Sequence, residues 1–261
     1  ALLRNPLADP FVLGVSGGAA LGATVAMAFN MTWMLGTAGL TTTMACALAG
    51  AAGATAIVML IGRFAGGSLS HATLLSGVIF NAFALAAITL IKSLVAPDRL
   101  GEIFFWLAGM LRHETTETLL VVGALVLIAL GIMIALSPRL NLLSLGDEDA
   151  QSLGVNVKRT RNVLLIATSL AVAAVVSVSG LIGFVGLLVP HAVRLAIGAD
   201  QRLAVPASAL MGASFLMLAD LGTRLLFSVF NTEPPVGVIT ALLGGPVFLL
   251  LLLRAERRSI A

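Results

Sequence analysis

A polar break at residues 140–155, between two long apolar runs, holds three consecutive carboxylates. Asp147, Glu148 and Asp149 follow Ser144 at the spacing of a helix start. There a serine caps free N–H groups, and carboxylates complement the positive end of the helix dipole. Gly154 is placed to end such a helix. The pattern therefore predicts a short helix with an acidic first turn.

The same short helix has an apolar side. Leu145, Ala150 and Leu153 are spaced so that they can face one way, and three basic residues follow at positions 158, 159 and 161. A short amphipathic helix beside basic residues is typical of an element lying on a membrane surface, or of a knob that docks a soluble partner. An ordinary connecting loop is the third interpretation, and spacing alone does not decide among them.

Covalent and metal chemistry have little support in the sequence. His113 stands beside Glu114, but no second histidine lies at ligand spacing, which favours a solvated loop over a metal site. Cys46 is the single cysteine and lies in an apolar run, so it suits packing and predicts neither a disulfide nor a CxxC site. No Ser-His-Asp set or carboxylate pair is arranged for catalysis.

The sequence also lacks an energy source of its own. It has two lysines and no Gly-Lys-Ser/Thr motif, so no P-loop for a nucleotide is predicted. No carboxylate lies in the middle of an apolar run, where a proton or sodium relay would need one. If the chain moves a solute uphill, we expect a partner to supply the energy.

Composition sets the class of protein. The chain has 261 residues, of which 59% are hydrophobic and only 10% charged, whereas soluble domains carry about 25% charged residues. The mean hydropathy is +1.08. The 15 basic residues are spread between apolar runs and there is no tyrosine, which argues against nucleic-acid binding. The sequence therefore predicts an all-α polytopic membrane protein.

The hydrophobic pattern predicts about eight membrane crossings in a single transmembrane domain, residues 1–261. Gly180, Gly183, Gly186 and Pro190 indicate that residues 180–200 form a short or broken helix rather than a clean span. Pro138 is expected to end the span before the acidic loop, and Pro190 to close the broken segment. The predicted spans are residues 14–35, 40–61, 72–94, 118–136, 162–179, the broken 180–200, 203–229 and 237–253.

Two further spacings make predictions about packing. Gly14, Gly18 and Gly22 recur every four residues, which favours close helix–helix packing over phosphate binding, since no preceding strand or lysine is present. Asp220 and Arg224 are also four apart, so they can pair on one helix face. Residues 95–117 form a second polar stretch around an apolar insert in which Trp106 suits the bilayer interface.

The distribution of charge predicts the orientation. With alternating loops, eleven of the 15 basic residues fall on the side of the 140–155 loop and four on the other. The positive-inside rule then places that loop and the C-terminus in the cytoplasm. The four on the outer side are Lys92, Arg99, Arg112 and Arg224. A cytoplasmic loop favours docking of a soluble partner.

Four stretches together resemble a known family. These are residues 4–19, with Arg4-Asn5-Pro6 and Ser16-Gly17-Gly18; residues 145–155; residues 180–194; and residues 235–246. In register and along the whole chain, they are similar to FecCD-type permeases, the membrane subunits of bacterial ATP-binding-cassette importers for iron-siderophore complexes, haem and vitamin B12. The motifs identify the family but do not indicate which substrate is carried.

The resemblance implies a ten-helix fold, of which this chain holds about eight, with the first two expected upstream of Ala1. It implies that residues 144–155 form the coupling helix, which sits in a groove of the ATPase subunit. The residues expected to make that contact are Ser144, Leu145, Gly146, Asp147, Glu148, Ala150, Leu153, Gly154 and Val155. This chain is then expected to bind no cofactor, because ATP and Mg²⁺ belong to the partner ATPase.

The resemblance also implies a gate and an outer contact. Asn5, Leu7, Ser70 and His71 match positions where vitamin B12 permeases close their cytoplasmic gate, although His71 replaces a small hydroxyl residue. Arg224 matches an arginine that meets a glutamate of the periplasmic binding protein. An internal pair between Arg224 and Asp220 is the competing interpretation, and both stay open.

The expected mechanism is alternating access in the bacterial inner membrane. Two permease copies or halves, set in membrane lipid, would enclose a pathway for a bulky chelate. A cytoplasmic ATPase dimer would drive it, and a periplasmic binding protein would deliver the cargo. We predict an iron-siderophore complex as that cargo, with haem, vitamin B12 and oxyanions as open alternatives. The permease itself is not expected to be an enzyme. The alternative is an ion-coupled secondary transporter or channel that acts without an ATPase.

Overall fold

The computed structural model describes residues 14–31, 41–64, 69–230 and 233–260. Within these ranges it contains ten α-helices and no β-strand. They are α1 (Val15–Ala28), α2 (Thr42–Phe64), α3 (Leu69–Leu94), α4 (Pro97–Ala108), α5 (Thr116–Leu145), α6 (Asp147–Ser152), α7 (Val157–Ser179), α8 (Val185–Ile197), α9 (Gln201–Phe230) and α10 (Val236–Ile260).

Eight of these helices are strongly apolar. Among the described residues, α2, α3, α5, α7 and α9 are long and apolar enough to cross a membrane, and three shorter apolar segments lie in α1, α8 and α10. The two remaining helices, α4 and α6, are short and lie between spans. The arrangement confirms the predicted all-α polytopic fold.

The predicted stop at Pro138 is wrong, because Pro138 lies inside α5, which continues to Leu145. A proline in a helix leaves the carbonyl four residues earlier without its usual N–H donor. Here that carbonyl belongs to Ile134, and the Ser137 hydroxyl donates a hydrogen bond to it at 2.7 Å. The Ser137 side chain thus supplies the hydrogen bond that the proline cannot donate, as serine and threonine do in membrane helices.

Pro190 does not close its segment either, since it lies inside α8. The preceding residues 180–184 are not helical, and α8 begins only at Val185. A helix of 13 residues is about 20 Å long, which is shorter than the roughly 30 Å hydrocarbon layer. The non-helical residues and the short helix together form the segment that the glycines marked.

The tightest packing joins α1 to α2. A Cβ atom at Gly18 would meet the Gly50 carbonyl and the Ala54 methyl group, and one at Gly22 would meet the Cys46 carbonyl. The two backbones therefore approach as closely as small residues allow, which maximises dispersion contacts where lipid offers no hydrophobic drive. The core around this contact is correspondingly rich in small side chains: Val15, Ala19, Ala23, Met27, Ala47, Ala51, Ile103, Leu165, Ala173 and Val176.

Residues 95–117 contain an element that the polar pattern did not indicate, the helix α4. Pro97 stands in its first turn, where its missing N–H costs nothing. Ile103 is fully buried and Trp106 packs against the same core. Of the charged residues in this stretch, Asp98, Arg99 and Glu102 lie on the amphipathic helix α4, whereas Arg112 and Glu114 lie in the non-helical segment that follows it.

Backbone hydrogen bonds join three chain segments at the end of α7. The Met110 N–H donates to the Ser179 carbonyl at 2.9 Å, and the Gly237 N–H donates to the Gly109 carbonyl at 3.1 Å. The end of α4, the end of α7 and the start of α10 therefore meet at one place. We refer to this meeting point, residues 108–110, 179–181 and 236–237, as the distal junction.

Gly180 is required at the distal junction for two reasons. Its φ of 67° lies in the left-handed region that L side chains rarely adopt. A Cβ there would also collide with the Trp106 carbonyl. Both the backbone conformation and the close approach of α4 thus select glycine.

We predict that Gly50→Leu destabilises the fold and that Gly53→Leu does not. Leucine at position 50 would meet the Gly18 backbone, whereas a Cβ at Gly53 would meet nothing within 4 Å, although both lie in α2. Overpacking costs about 1–3 kcal/mol, which corresponds to a fall in Tm of roughly 5 °C. Thermal unfolding in mild detergent measures it, and equal Tm values for the two variants would contradict the α1–α2 contact.

Candidate functional site

The short helix α6 lies between α5 and α7, as the acidic pattern predicts, but it begins differently. The predicted cap, Ser144, is still inside α5, and its hydroxyl donates to the Asn141 carbonyl at 2.6 Å. The residue that separates the two helices and caps α6 is Gly146, with φ 152°. The prediction failed because α5 runs on past Pro138 and absorbs Ser144.

The first and last turns of α6 follow the sequence. Its first turn holds the three carboxylates of Asp147, Glu148 and Asp149. At its end the Gly154 N–H donates to the Gln151 carbonyl and the Val155 N–H to the Ala150 carbonyl, both at 2.9 Å. This pair of bonds, with Gly154 at φ 84°, is the Schellman arrangement that closes a helix at a glycine.

The side chains of α6 do not share one apolar face. Ala150 is completely buried and packs with Leu143, Val155 and Val157. Leu145 and Leu153, by contrast, are 64% and 58% exposed. The predicted single face is therefore wrong: Ala150 anchors α6 to the membrane helices, while the two leucines that bracket it point outward. The outer surface of α6 is thus both acidic and apolar.

Arg161 is a buried residue that the sequence pattern placed among exposed basic residues. Its side chain is only 8% exposed, and its guanidinium lies 3.2 Å from a carboxylate oxygen of Asp147. The sequence grouped it with Lys158 and Arg159, which are exposed. Helical periodicity could have found it, because residues 157, 160, 161, 164 and 165 form the buried stripe of α7.

A second polar contact stabilises the end of the molecule at which α6 lies. The Asn141 side chain donates to an Asp200 oxygen at 2.6 Å and accepts from the Gln201 N–H at 2.9 Å. It therefore ties the end of α5 to the turn between α8 and α9. Neither Asn141 nor Asp200 stood out in the sequence, because their positions are 59 residues apart.

The electrostatics of that turn favour an ionised Asp200. The backbone N–H of Arg202 donates to its carboxylate at 3.0 Å. That bond, followed by the Asn141 amide, holds the pKa of Asp200 below its ordinary value. The ionised carboxylate caps α9 and stays available to Asn141.

Arg224 lies in α9, where its Nε donates to an Asp220 oxygen at 2.8 Å. Its side chain remains 55% exposed despite the pair. At 1.5 Å per residue, it lies about 35 Å along α9 from the Asp200 turn. The structure therefore forms the predicted internal pair and leaves part of the guanidinium open to a partner.

The predicted gate residues are described in part or not at all. Asn5 and Leu7 lie outside the described residues. Ser70 and His71 lie in the first turn of α3, and their side chains are outside the description.

Three of the glycines that the sequence singled out lie at helix ends or in open space. Gly14 is the N-cap of α1, and Gly186 lies in the first turn of α8. A Cβ atom at Gly183 would meet nothing within 4 Å.

Comparison with known proteins gives a consistent set of relatives. A model of the FecCD transport family matches residues 1–254. The hemin transport permease HmuU of Yersinia pestis is 41% identical over 99% of this chain and 76% of that protein. The cobalamin import permease BtuC of Halobacterium salinarum is 40% identical over 98% of this chain and 67% of that protein. The Fe(3+) dicitrate permease FecC of Escherichia coli is 36% identical over 97% and 74%.

A solved structure agrees with these sequences. It is described as a metal-chelate type ATP-binding-cassette transporter in an inward-facing conformation. It matches with a TM-score of 0.86 and 33% identity, covering 97% of this chain and 78% of the other. The helical arrangement described above is therefore similar to that of this solved structure.

Proposed function

The chain belongs to the FecCD transport family of ATP-binding-cassette importer permeases, and we propose that its cargo is an iron-siderophore complex or a related bulky metal chelate. As a permease it moves its cargo without covalent change, and a separate ATPase subunit hydrolyses ATP. The cargo proposal is supported by what its relatives carry. Hemin, cobalamin and ferric dicitrate are all complexes of a metal ion with organic ligands.

The coupling proposal rests on the outer surface of α6. Two exposed leucines, Leu145 and Leu153, bracket a helix with three carboxylates in its first turn. Exposed apolar groups beside charge suit a protein partner. The buried Ala150 on the opposite side fixes α6 to the membrane helices. We therefore assign residues 144–155 as the coupling helix that enters a groove of the ATPase dimer.

The orientation proposal follows from charge around α6. Basic residues concentrate near this end of the molecule, at Arg139, Lys158, Arg159, Arg161, Arg194 and Arg202. The positive-inside rule places such an end in the cytoplasm, where ATP is available. The distal junction then faces outward in the inner membrane of a bacterium, and the C-terminal end of α10 lies on the cytoplasmic side.

Alternating access is the mechanism that these parts support. Two copies or halves of the permease enclose the pathway, and ATP binding moves the grooves that hold α6. Each α6 passes that motion to the spans, which open to the outside or to the cytoplasm in turn. Asn5, Leu7, Ser70 and His71 form the cytoplasmic gate in this proposal, and Arg224 receives a carboxylate of the binding protein on the outer side.

The assembly proposal is tested by isolating the full-length protein from native membranes in mild detergent and identifying what co-purifies by mass spectrometry. We expect a P-loop ATPase and a periplasmic binding protein, and the ligand held by the binding protein identifies the cargo. If the permease purifies without either partner, under conditions that keep a known importer intact, the result favours an ion-coupled transporter instead.

Leu153→Arg should release the ATPase while leaving membrane insertion intact. Removing one docked leucine and inserting a charge costs roughly 3 kcal/mol, or on the order of 100-fold in affinity. Co-purification at defined ATPase concentrations measures the loss. The matched control is Leu203→Arg, the same substitution at an equally exposed leucine in the first turn of α9, outside residues 144–155. If Leu153→Arg binds the ATPase normally, the docking role of α6 fails.

Arg224→Glu should weaken capture of the binding protein at least tenfold, because it replaces attraction to an incoming carboxylate with repulsion. The control is Asp220→Asn, which breaks the internal ion pair but keeps the cation. Surface binding of the purified binding protein to permease in nanodiscs measures both. If Asp220→Asn and Arg224→Glu lose binding equally, the internal pair rather than docking explains Arg224.

A further inference from the structure

The helix α6 is attached to α7 by two different kinds of contact. One is the apolar cluster in which Ala150 meets Val155 and Val157. The other is the ion pair in which one guanidinium nitrogen of Arg161 lies 3.2 and 3.3 Å from the two oxygens of Asp147. The cluster holds α6 against the membrane helices, whereas the ion pair joins its first residue to a single residue of α7.

The two partners of the ion pair differ in burial. The Arg161 side chain is 8% exposed and the Asp147 side chain 43% exposed. The Arg161 Nε is also buried and finds no hydrogen-bond partner among the described residues. An arginine stays charged in proteins, and a buried cation without its counter-ion is strongly unfavourable. Moving α6 away from α7 would leave Arg161 in that condition.

The position of α7 makes this link mechanically relevant. Half of the α7 span is buried, the largest share among the five long spans in the described part of the chain. It packs against α1, α2 and α5. At its other end, Ser179 and Gly180 meet α4 at the distal junction. A helix of 23 residues is about 35 Å long, so α7 connects α6 to the opposite end of the molecule.

We propose that Arg161 is a positioning residue that couples displacement of α6 to α7 and, through α7, to the distal junction. This inference rests on the proposed role of α6 as the element that docks the ATPase. Arg161 itself is buried, and its proposed role is to hold α6 rather than to contact a ligand. It acts by making separation of α6 from α7 unfavourable, so that both helices move together when the ATPase moves.

The test uses the complete importer, with its ATPase, reconstituted in proteoliposomes. The readout is the amount of cargo transported per ATP hydrolysed, with hemin and a radio-iron-labelled siderophore as the two probes. The variants are Arg161→Gln, Asp147→Asn and the double variant. Arg159→Gln is the matched control, since Arg159 is two residues away and exposed.

We expect Arg161→Gln to keep the ATPase bound and to lower cargo transported per ATP at least tenfold, with Arg159→Gln unchanged. The double variant should lose no more than Arg161→Gln alone, because residues that act through one contact are not additive. A transport ratio unchanged by Arg161→Gln, or losses that multiply in the double variant, would overturn the inference.

The experiment distinguishes a variant that does not fold from a proposed function that is wrong. If Arg161→Gln does not fold, Asp147→Asn decides the question, since Asp147 is half-exposed and its substitution should fold. With the ATPase bound to Asp147→Asn as tightly as to the unmodified chain, a fall of at least threefold in the transport ratio supports the inference, and a normal ratio overturns it. Failure of the unmodified chain to bind any ATPase contradicts the proposed function itself, and is seen before any variant is compared.

Discussion

The constraint on which this structure depends is that backbone N–H and C=O groups inside a membrane must find partners within the protein. Regular helices meet it automatically, so the informative places are those where helices stop. At the distal junction, the N–H groups of Met110 and Gly237 donate to carbonyls of other segments. Within α5, the Ser137 hydroxyl serves the carbonyl that Pro138 leaves open. In both of these places a specific neighbour supplies the missing hydrogen bond.

The same constraint explains which features the sequence predicted. Hydropathy alone indicated eight apolar helices, because each span must be long, apolar and self-satisfied, and the acidic first turn of α6 follows from dipole electrostatics. The prediction that a helix ends at Pro138 was wrong because it considered the proline alone. The hydroxyl of the adjacent Ser137 compensates for the hydrogen bond that the proline cannot make. The helix α4 was missed because its charges lie on exposed faces of an otherwise apolar segment.

The errors at α6 have a different physical origin. Spacing predicted that Leu145, Ala150 and Leu153 share a face, but the helix proper has only six residues, so residues just beyond its ends do not follow its periodicity. Arg161 was read as a surface cation because charge usually indicates exposure. Its burial depends on Asp147, 14 positions earlier, and such a tertiary partner is not visible in local sequence. The contact between Asn141 and Asp200 was hidden for the same reason.

The positions of these polar contacts bear on how the molecule can move. One buried apolar cluster is built from α1, α2, α4 and α7, and a separate one from α8 and α9. The two clusters share no residue, and the turn between α8 and α9 is tied to α5 by Asn141. Polar contacts are short-ranged and directional, whereas the hydrophobic attraction that holds each cluster together is non-directional. A movement of these two groups of helices relative to each other would leave each apolar cluster intact and would pivot about the contact of Asn141 with the turn between α8 and α9. Helix α6 is bound to Leu143 of α5 through Ala150 and to α7 through Arg161, so it would follow both of these helices.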